Sequence, residues 1–281
     1  MEFAKRQTAF HTFGKIINAL VKLGVIFCFL FPFYWMLITS VKPYEEIIIF
    51  PPTFWPENWT WEAYETIFTS LNLGQFFLNS VLITFFTIVL QVVIMVPSAY
   101  AFARYQFRGK NILFGMVMVA FMIPVQITFI TTYLQMASWK LLPTLLPQIL
   151  PFGANAFGIF LLRQAFMQIP EELIESARLD NAGELRIITS VMLPMCKSTF
   201  VTIALFSCIG TWNSYFWPLV MTNSDQNRPL TIAIQQLKDL ELGVNWNIMM
   251  AGNAILALPV LLLFLFASKK IVRAFAYKGM K

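Results

Sequence analysis

Charged side chains are rare in this sequence, and the densest group of them lies in EELIESARLDNAGELRIITSVMLP, residues 171–194. Acids and bases are mixed in this charged segment, which holds Glu171, Glu172, Glu175, Arg178, Asp180, Glu184 and Arg186. The anionic inner leaflet of a membrane repels carboxylates, whereas a protein surface of complementary charge binds both signs. The segment is therefore predicted to dock a protein partner, with an amphipathic helix resting on lipid as the alternative.

The first half of the charged segment is predicted to be a short helix over residues 171–179. Pro170 suits the first helical position, where its missing N–H costs nothing, and the acids of the first turn favour the positive end of the helix dipole. Spacings of three and four residues place Leu173, Ile174 and Ala177 on one apolar face.

A bend is predicted next, in Asp180-Asn181-Ala182-Gly183, because Asn and Gly adopt positive φ more readily than other residues. A second apolar helical face follows at Leu185, Ile188 and Met192, before Leu193-Pro194. The charged segment is thus predicted to form a helix, a bend and a second helix at a membrane surface.

Residue sets for catalysis or metal binding are missing from the sequence. The cysteines Cys28, Cys196 and Cys208 form no CxxC pair, and His11 is the only histidine, which disfavours a zinc site or a disulfide framework. Buried positions are expected for Cys28 and Cys208. No Ser/His/Asp, Cys/His or paired-carboxylate arrangement indicates a catalytic site.

A phosphate-binding loop of the GxxxxGK[ST] type is missing as well. Gly14-Lys15 and Gly109-Lys110 are followed by Ile16 and Asn111 rather than by Ser or Thr. The chain is therefore predicted not to be an enzyme, to hold no cofactor or metal, and to hydrolyse no ATP by this mechanism.

The composition predicts an all-α membrane protein. Hydrophobic residues make up 58% of the 281 and charged residues 12%, more apolar surface than a soluble domain can hide. A single transmembrane domain, residues 1–281, is expected, and its first apolar run is too long for a cleaved signal peptide. Six spans of about 20 apolar residues are predicted, at 16–41, 77–102, 112–136, 143–166, 198–221 and 248–268.

The Lys and Arg residues predict the orientation. If both termini are cytoplasmic, sixteen of the twenty lie on the cytoplasmic side, as the positive-inside rule requires. The charged segment then falls in the longest cytoplasmic loop, residues 167–197. The net charge of +6 is explained by anionic membrane lipid, so a nucleic-acid partner is not expected.

Neutral polar residues within the spans are candidates for a transport pathway. Gln126, Asn155 and Asn213 suit a hydroxyl-rich solute, whereas the alternative is hydrogen bonding between helices, at about 0.6–2 kcal/mol for each bond. No Asp or Glu lies at mid-depth in a predicted span, which disfavours a proton-coupled carrier. Sodium coupling through backbone carbonyls stays open.

One motif in the charged segment resembles a known family. Glu175-Ser176-Ala177, three residues, Asn181, nine residues and Val191-Met192-Leu193-Pro194 are similar to the EAA loop of the membrane permeases of binding-protein-dependent ATP-binding-cassette (ABC) importers. That family has Ala, Gly and Ile where this chain has Ser176, Asn181 and Val191. The replacements are mild, because Ser is small, Asn readily adopts positive φ, and Val is β-branched like Ile.

The resemblance extends over nearly the whole chain. It is similar to the sugar-permease branch, of the maltose-permease G-subunit type, in FPFYWMLITSVKP (31–43), FLNSVLIT (77–84), AYAFARYQFRGK (99–110), MIPVQ (122–126), FGIFLLRQAFMQIPEEL (157–173) and WNSYFWPL (212–219). The resemblance implies the type I ABC importer permease fold. It also implies import of a sugar, oligosaccharide or related glycoside across a bacterial-type cytoplasmic membrane.

The partners and site residues are likewise implied by the resemblance. They are a second permease, two ATP-binding subunits that hold ATP and Mg, and an extracytoplasmic solute-binding protein. The residues expected to couple the chain to an ATP-binding subunit are Glu175, Ser176, Ala177, Arg178, Asp180, Asn181 and Gly183. Asn245 and Trp246, at the end of the outer loop 222–247, are the expected contacts with the binding protein.

Overall fold

The computed structural model describes residues 2–237 and 245–276, and every regular element in these ranges is helical. The helices in chain order are α1 (Glu2–Ser40), α2 (Tyr44–Ile47), α3 (Glu62–Ser70), α4 (Leu73–Arg104), α5 (Lys110–Met122), α6 (Val125–Ser138), α7 (Ala156–Met167), α8 (Glu171–Leu179), α9 (Glu184–Ile187), α10 (Leu193–Met195), α11 (Lys197–Trp212), α12 (Phe216–Met221), α13 (Leu230–Gln236) and α14 (Trp246–Ala276). Short 3₁₀ turns lie at Leu146–Gln148, Leu150–Phe152 and Asp225–Asn227, and a π turn joins α9 to α10 at Ile188–Met192.

Three of the predicted spans coincide with continuous apolar helices. These are Gly14–Ser40 within α1, the whole of α4, and Trp246–Phe266 within α14. At 1.5 Å per residue each is long enough to cross the roughly 30 Å hydrocarbon core. The all-α membrane architecture expected from composition is therefore confirmed.

Two of the other three spans are bent within the described residues, since helices α5 and α6 meet at 97° and Leu146–Phe152 meets α7 at 41°. The predicted span 198–221 is interrupted between α11 and α12, and a bend of 87° between Glu184–Met195 and α11 lies just before it. Pro124 explains the first break, because it has no N–H for a helical hydrogen bond and disfavours helix in Ile123 before it. The number of crossings is three, or up to six if each bent pair is one span, so the six-span count stays a prediction.

The described residues form two compact units, the first up to Leu71 with 234–258 and the second from Asn72 to Ala233 with 259 onward. In the first unit, the side chains of residues 14–30 of α1 are all exposed, as for a helix that faces lipid. Cys28 is among them, so the buried position expected for it is wrong. A membrane helix exposes apolar side chains freely, because lipid is as apolar as a protein core.

A buried ion pair closes the end of α1 in the first unit. The Lys42 and Glu46 side chains are only 3% and 5% exposed, and Nζ lies 3.5 Å from Oε1. The carboxylate of Glu46 also accepts hydrogen bonds from the Thr53 hydroxyl at 2.6 Å and from the N–H of Glu57 at 3.1 Å. Burial alone raises the pKa of Glu46, but these hydrogen bonds and the Lys42 charge together hold its pKa below the ordinary value.

The core of the second unit joins α4, α7 and α11 to the predicted cytoplasmic loop. Leu162 and Phe166 of α7 are fully buried beside Tyr100 of α4. From the loop, Ile174, Ile187 and Met192 enter the same cluster, each with 0% exposure. The loop is therefore part of this unit's core rather than a helix that merely rests on lipid.

Candidate functional site

Helix α8 ends in a hydrogen-bonded C-terminal cap, and this cap forms the bend expected at Asn181. Asn181 has φ of +54°, so the positive φ predicted there is confirmed. Its N–H donates to the Arg178 carbonyl at 3.0 Å, and the Ala182 N–H donates to the Ala177 carbonyl at 3.0 Å. These two bonds form a Schellman motif, which satisfies the last carbonyls of the helix.

Gly183 takes no part in that reversal. Its φ is −66° and its ψ 159°, an extended conformation open to any residue, and it precedes the first residue of α9. A Cβ atom added there would meet nothing within 4 Å. The bend therefore depends on Asn181 alone for its left-handed residue.

The two predicted apolar faces differ in detail from the observed ones. Helix α8 begins at Glu171, so Pro170 is its N-cap rather than its first residue. Leu173 and Leu185, both expected on the buried faces, are 42% and 76% exposed. In the second half of the segment the π turn adds one residue to a helical turn, so the buried set becomes Ile187, Ile188 and Met192.

The outer surface of α8 and of its C-terminal cap is not covered by any other described part of the chain. The residues exposed there include most of the predicted coupling residues, namely Glu175, Ser176, Arg178, Asp180, Asn181 and Gly183, whereas Ala177 is half-buried against the core. Leu179 joins this surface with 85% exposure. Acidic groups around an exposed leucine suit a protein partner, because an apolar anchor inside a polar rim is the usual anatomy of an interface.

Glu184 links the two halves of the charged segment to α4. Its carboxylate accepts a hydrogen bond from the Tyr100 hydroxyl and one at 3.2 Å from Arg178. The hydrogen bond from Tyr100 is the main reason why the pKa of Glu184 lies below its ordinary value, and Arg178 adds to it. Arg178 is therefore already paired within the loop.

Arg104, at the last turn of α4, ties the start of the loop in place. Its side chain is 7% exposed and donates to the carbonyl of Phe166 at 2.6 Å, to that of Ile169, and to the Glu171 carboxylate at 2.7 Å. A guanidinium at these carbonyls neutralises the negative C-terminal end of α7. Sequence reasoning used Arg104 only as a charge for orientation, because nothing in its spacing indicates a partner 62 residues away.

A cavity of about 290 Å³ lies elsewhere in the second unit. Its polar lining includes the amides of Gln91, Gln148 and Asn155, and its aromatic lining Phe152, Phe157, Phe206 and Trp217. Of the three predicted pathway residues, only Asn155 lines it. Gln126 and Asn213 are exposed and lie outside this cavity.

Asn155 also has structural bonds. Its Oδ1 accepts the Gly158 N–H at 2.8 Å and so caps α7, while its Nδ2 donates to Ser207 at 3.2 Å and to Gln91 at 3.4 Å. Asn155 therefore makes the hydrogen bonds between helices that were the alternative for it, and it also lines the cavity, while its place in a transport pathway stays a prediction.

The two residues expected to contact a binding protein lie at the start of α14 in the first unit, Asn245 just before the helix and Trp246 within it. Trp246 is its first residue and is 50% exposed, and the Asn245 carbonyl accepts the Met249 N–H at 3.0 Å. The part of the outer loop directly before them, residues 238–244, lies outside the described residues. Within the described ranges, no cluster of three or more His, Cys, Asp or Glu side chains could hold a metal.

The structure is that of a helical membrane protein, with a cavity among its helices and an exposed charged loop built on their core. Residues 95–277, well over half of the chain, match the family described as the binding-protein-dependent transport system inner membrane component, and the chain belongs to this family. It is accordingly a multi-pass inner-membrane transport subunit and not an enzyme, since ATP hydrolysis in such systems sits in a separate subunit. The resemblance found in the sequence is confirmed.

Curated relatives match almost end to end. The chain is 27% identical to the arabinooligosaccharides transport system permease protein AraQ of Bacillus subtilis, covering 90% of this chain and 91% of that one. It is 29% identical to the diacetylchitobiose uptake system permease protein NgcG of Streptomyces coelicolor, covering 92% and 86%. It is 27% identical to the sn-glycerol-3-phosphate transport system permease protein UgpE of Brucella suis, covering 92% and 95%.

A solved structure shares the fold. A chain of a bacterial ABC transporter involved in the import of the acidic polysaccharide alginate superposes with a TM-score of 0.80 at 24% identity, covering 90% of this chain and 95% of that one. The ABC importer permease fold expected from the resemblance is thereby confirmed.

Proposed function

We propose that this chain is a permease subunit that moves a sugar, an oligosaccharide or a related glycoside across the cytoplasmic membrane. ATP and Mg are bound by a separate ATP-binding subunit, and an extracytoplasmic solute-binding protein supplies the substrate. The observation that carries this proposal is the EAA-like segment, whose open surface is built directly on the core of the transmembrane helices. Two of the three relatives named above transport saccharides, which supports the substrate class.

The proposed assembly contains this chain, a second permease, two ATP-binding subunits and the binding protein, embedded in lipid. Residues 1–281 act as one transmembrane domain with six spans and both termini in the cytoplasm. The distribution of Lys and Arg supports this orientation. The substrate crosses near Asn155, with Gln126 and Asn213 as further pathway residues, and Asn245 and Trp246 contact the binding protein.

The coupling loop, residues 167–197, transmits the motion of the ATP-binding subunit. Its exposed face, centred on Glu175 and Leu179, docks into a cleft of that subunit, with Glu175 making the charged contact. Its inner face moves with the helices, because Ile174 is buried in their core and Arg104 ties the end of α7 to the end of α4. A chain without its own ATP site needs such a docking surface, through which a subunit outside the membrane can move its helices.

The coupling assignment predicts a loss of docking when the charge of Glu175 is reversed. Glu175 is exposed, so Glu175→Lys should leave membrane insertion and thermal unfolding unchanged while placing a like or unpaired charge in the interface. The ATP-binding subunit should co-purify at least tenfold less, and ATP-driven uptake into proteoliposomes should fall with it. Glu62→Lys, which reverses an exposed glutamate of α3, is the matched control. If the ATP-binding subunit co-purifies normally with Glu175→Lys and ATP-driven uptake is unchanged, the assignment of Glu175 to the coupling contact is wrong.

A further inference from the structure

Two side chains one turn apart on α4 are bonded to the two ends of helix α8. Arg104 donates to the carboxylate of Glu171, the first residue of α8, at 2.7 Å. The Tyr100 hydroxyl donates to Glu184, the first residue of α9, and the same carboxylate accepts from Arg178 in the last turn of α8 at 3.2 Å. Residues four apart lie on one face of a helix, so a single face of α4 holds both ends of α8.

The Tyr100 hydroxyl is a fixed point of α4, because its ring is packed on two sides. The side chain is 2% exposed, and its ring meets those of Phe166 and Tyr105 edge to face, with centroids 6.5 Å and 5.6 Å apart. The acceptor is an anion near neutral pH, since the hydrogen bond from Tyr100 holds the pKa of Glu184 below its ordinary value. Hydrogen bonds to an ionised acceptor are about twice as strong as those between neutral groups. A displacement of Glu184 is therefore resisted by α4 itself.

Apolar packing alone would constrain the direction of α8 much less. Of its nine residues, all of them described, Ile174 alone is fully buried and Ala177 is half-buried. Burial of apolar surface has no preferred direction, whereas a hydrogen bond weakens steeply when its angle changes. Bonds at both ends fix the axis of a helix about 13 Å long, so a displacement of α8 also displaces the end of α4.

We propose that Tyr100 is a positioning residue for coupling, which passes a displacement of α8 to α4 through Glu184. This inference rests on the proposed function, since it assumes that an ATP-binding subunit moves α8. It adds that two roles are separate within the charged segment. The exposed face around Glu175 docks the ATP-binding subunit, whereas Arg178 and Glu184, together with Tyr100, transmit the movement.

The test is hydrogen exchange, read by mass spectrometry, of the intact membrane complex with its ATP-binding subunits in lipid discs. Exchange is compared between the nucleotide-free complex and the complex with its solute-binding protein, Mg and AMP-PNP, an ATP analogue that is not hydrolysed. One reporter is the set of α8 amides, residues 171–179. The other is the end of α4, residues 98–104.

Two variants interrupt the bond from opposite sides. Tyr100→Phe removes only the hydroxyl, and Glu184→Leu removes its acceptor at a position that is 44% exposed. Tyr34→Phe is the matched control, because it removes a tyrosine hydroxyl that donates to the Phe54 carbonyl in the first unit. Co-purification of the ATP-binding subunit and thermal unfolding are measured for every variant.

In the wild-type complex, addition of AMP-PNP and binding protein should change the exchange rates of both reporters by about threefold or more. In Tyr100→Phe and Glu184→Leu the change in α8 and the co-purification should stay as in wild type, whereas the change in α4 should be lost. Tyr34→Phe should match the wild type at both reporters. A purely structural role of Tyr100 would instead raise exchange equally in both states and leave the nucleotide-dependent change of α4 in place. If Glu184→Leu does not assemble, Tyr100→Phe decides the matter.

Three results would overturn the role of Tyr100. They are an α4 that does not respond in the wild-type complex, an α4 response that persists in the variants, and loss of the α4 and α8 responses together. The third result would place Tyr100 in docking or folding. Co-purification of ATP-binding subunits with the wild-type chain tests the proposed function separately. Its absence removes the proposed function itself, whereas its presence beside any of the three results removes only the role of Tyr100.

Discussion

At the scale of single residues, the left-handed Asn181 determines how the chain leaves α8. We predict that Asn181→Gly keeps both unfolding temperature and activity, because Gly adopts positive φ without strain. In contrast, Asn181→Val should destabilise the protein by roughly 1–3 kcal/mol and weaken ATP-driven uptake, since a β-branched residue resists φ of +54°. Thermal unfolding and uptake measure both effects, with Asn111→Val, an exposed site in α5, as control. Equal unfolding temperatures and equal uptake of the Gly and Val variants would contradict the role given to the left-handed Asn181.

The buried pair of Lys42 and Glu46 makes a prediction about pH. Glu46→Gln leaves the Lys42 ammonium buried without its counter-charge, which should destabilise the protein by about 3–5 kcal/mol near neutral pH. The pKa of Glu46 is lowered by folding, so its contribution is present above the unfolded value of about 4.3 and is lost as pH falls through the folded value.

Thermal unfolding between pH 7 and pH 3 tests this prediction for the complex in lipid. The difference between wild type and Glu46→Gln should be largest at pH 7 and shrink only as the pH drops below about 4. Glu45→Gln, at the exposed neighbouring position, should change little at any pH. A difference that grows toward acid would contradict the assigned ion pair.

At the scale of elements, Arg104 holds the start of the coupling loop against α4. Arg104→Met removes the donor from two carbonyls at the end of α7, each bond to a charged donor contributing about 1.5–3 kcal/mol. Hydrogen exchange of the α8 amides should therefore accelerate at least tenfold, and Arg104→Lys should restore it only in part because Lys lacks the planar fork. The exposed Arg108→Met is the control. Unchanged exchange in Arg104→Met would show that α8 is held by its apolar face alone.

Sequence patterns predicted the elements of the charged segment better than their faces. The bounds 171–179 and the positive φ of Asn181 followed from local rules of helix ends, which depend on few neighbours. Leu173 and Leu185 were placed on the wrong side, because helical spacing alone does not show which face meets the core. The π turn at Ile188–Met192 has no signature in composition, so the shift that it causes could not be foreseen.

The broken spans show the same limit. Composition identified the apolar runs, but runs of similar hydropathy produced both the continuous α4 and the sharply bent pair of α5 and α6. Likewise, Asn155 was found as a cavity residue because it is polar within a span. Gln148 was not chosen as a pathway candidate, although it is buried and lines the same cavity, because its sequence position does not show which polar residues of a span meet in space.

At the scale of the whole molecule, an apolar helical body carries the charged segment on its surface. Composition and charge alone fit many classes of membrane protein. The class is narrowed to importer permeases by the EAA-like spacing at Glu175, Ala177 and Asn181 and by the family match over residues 95–277. The charged segment can drive transport only if an ATP-binding subunit binds it and moves in response to substrate. The proposed function therefore requires that substrate supply and ATP hydrolysis be coupled.

The most direct test is the ATPase activity of the complex co-purified in lipid, with and without its solute-binding protein, across a panel of sugars and glycosides. We expect that ATP-binding subunits co-purify with this chain and that one loaded binding protein stimulates their ATPase activity several-fold. If no ATP-binding subunit co-purifies, and uptake follows an ion gradient instead, the coupling loop has no partner and the importer assignment is contradicted.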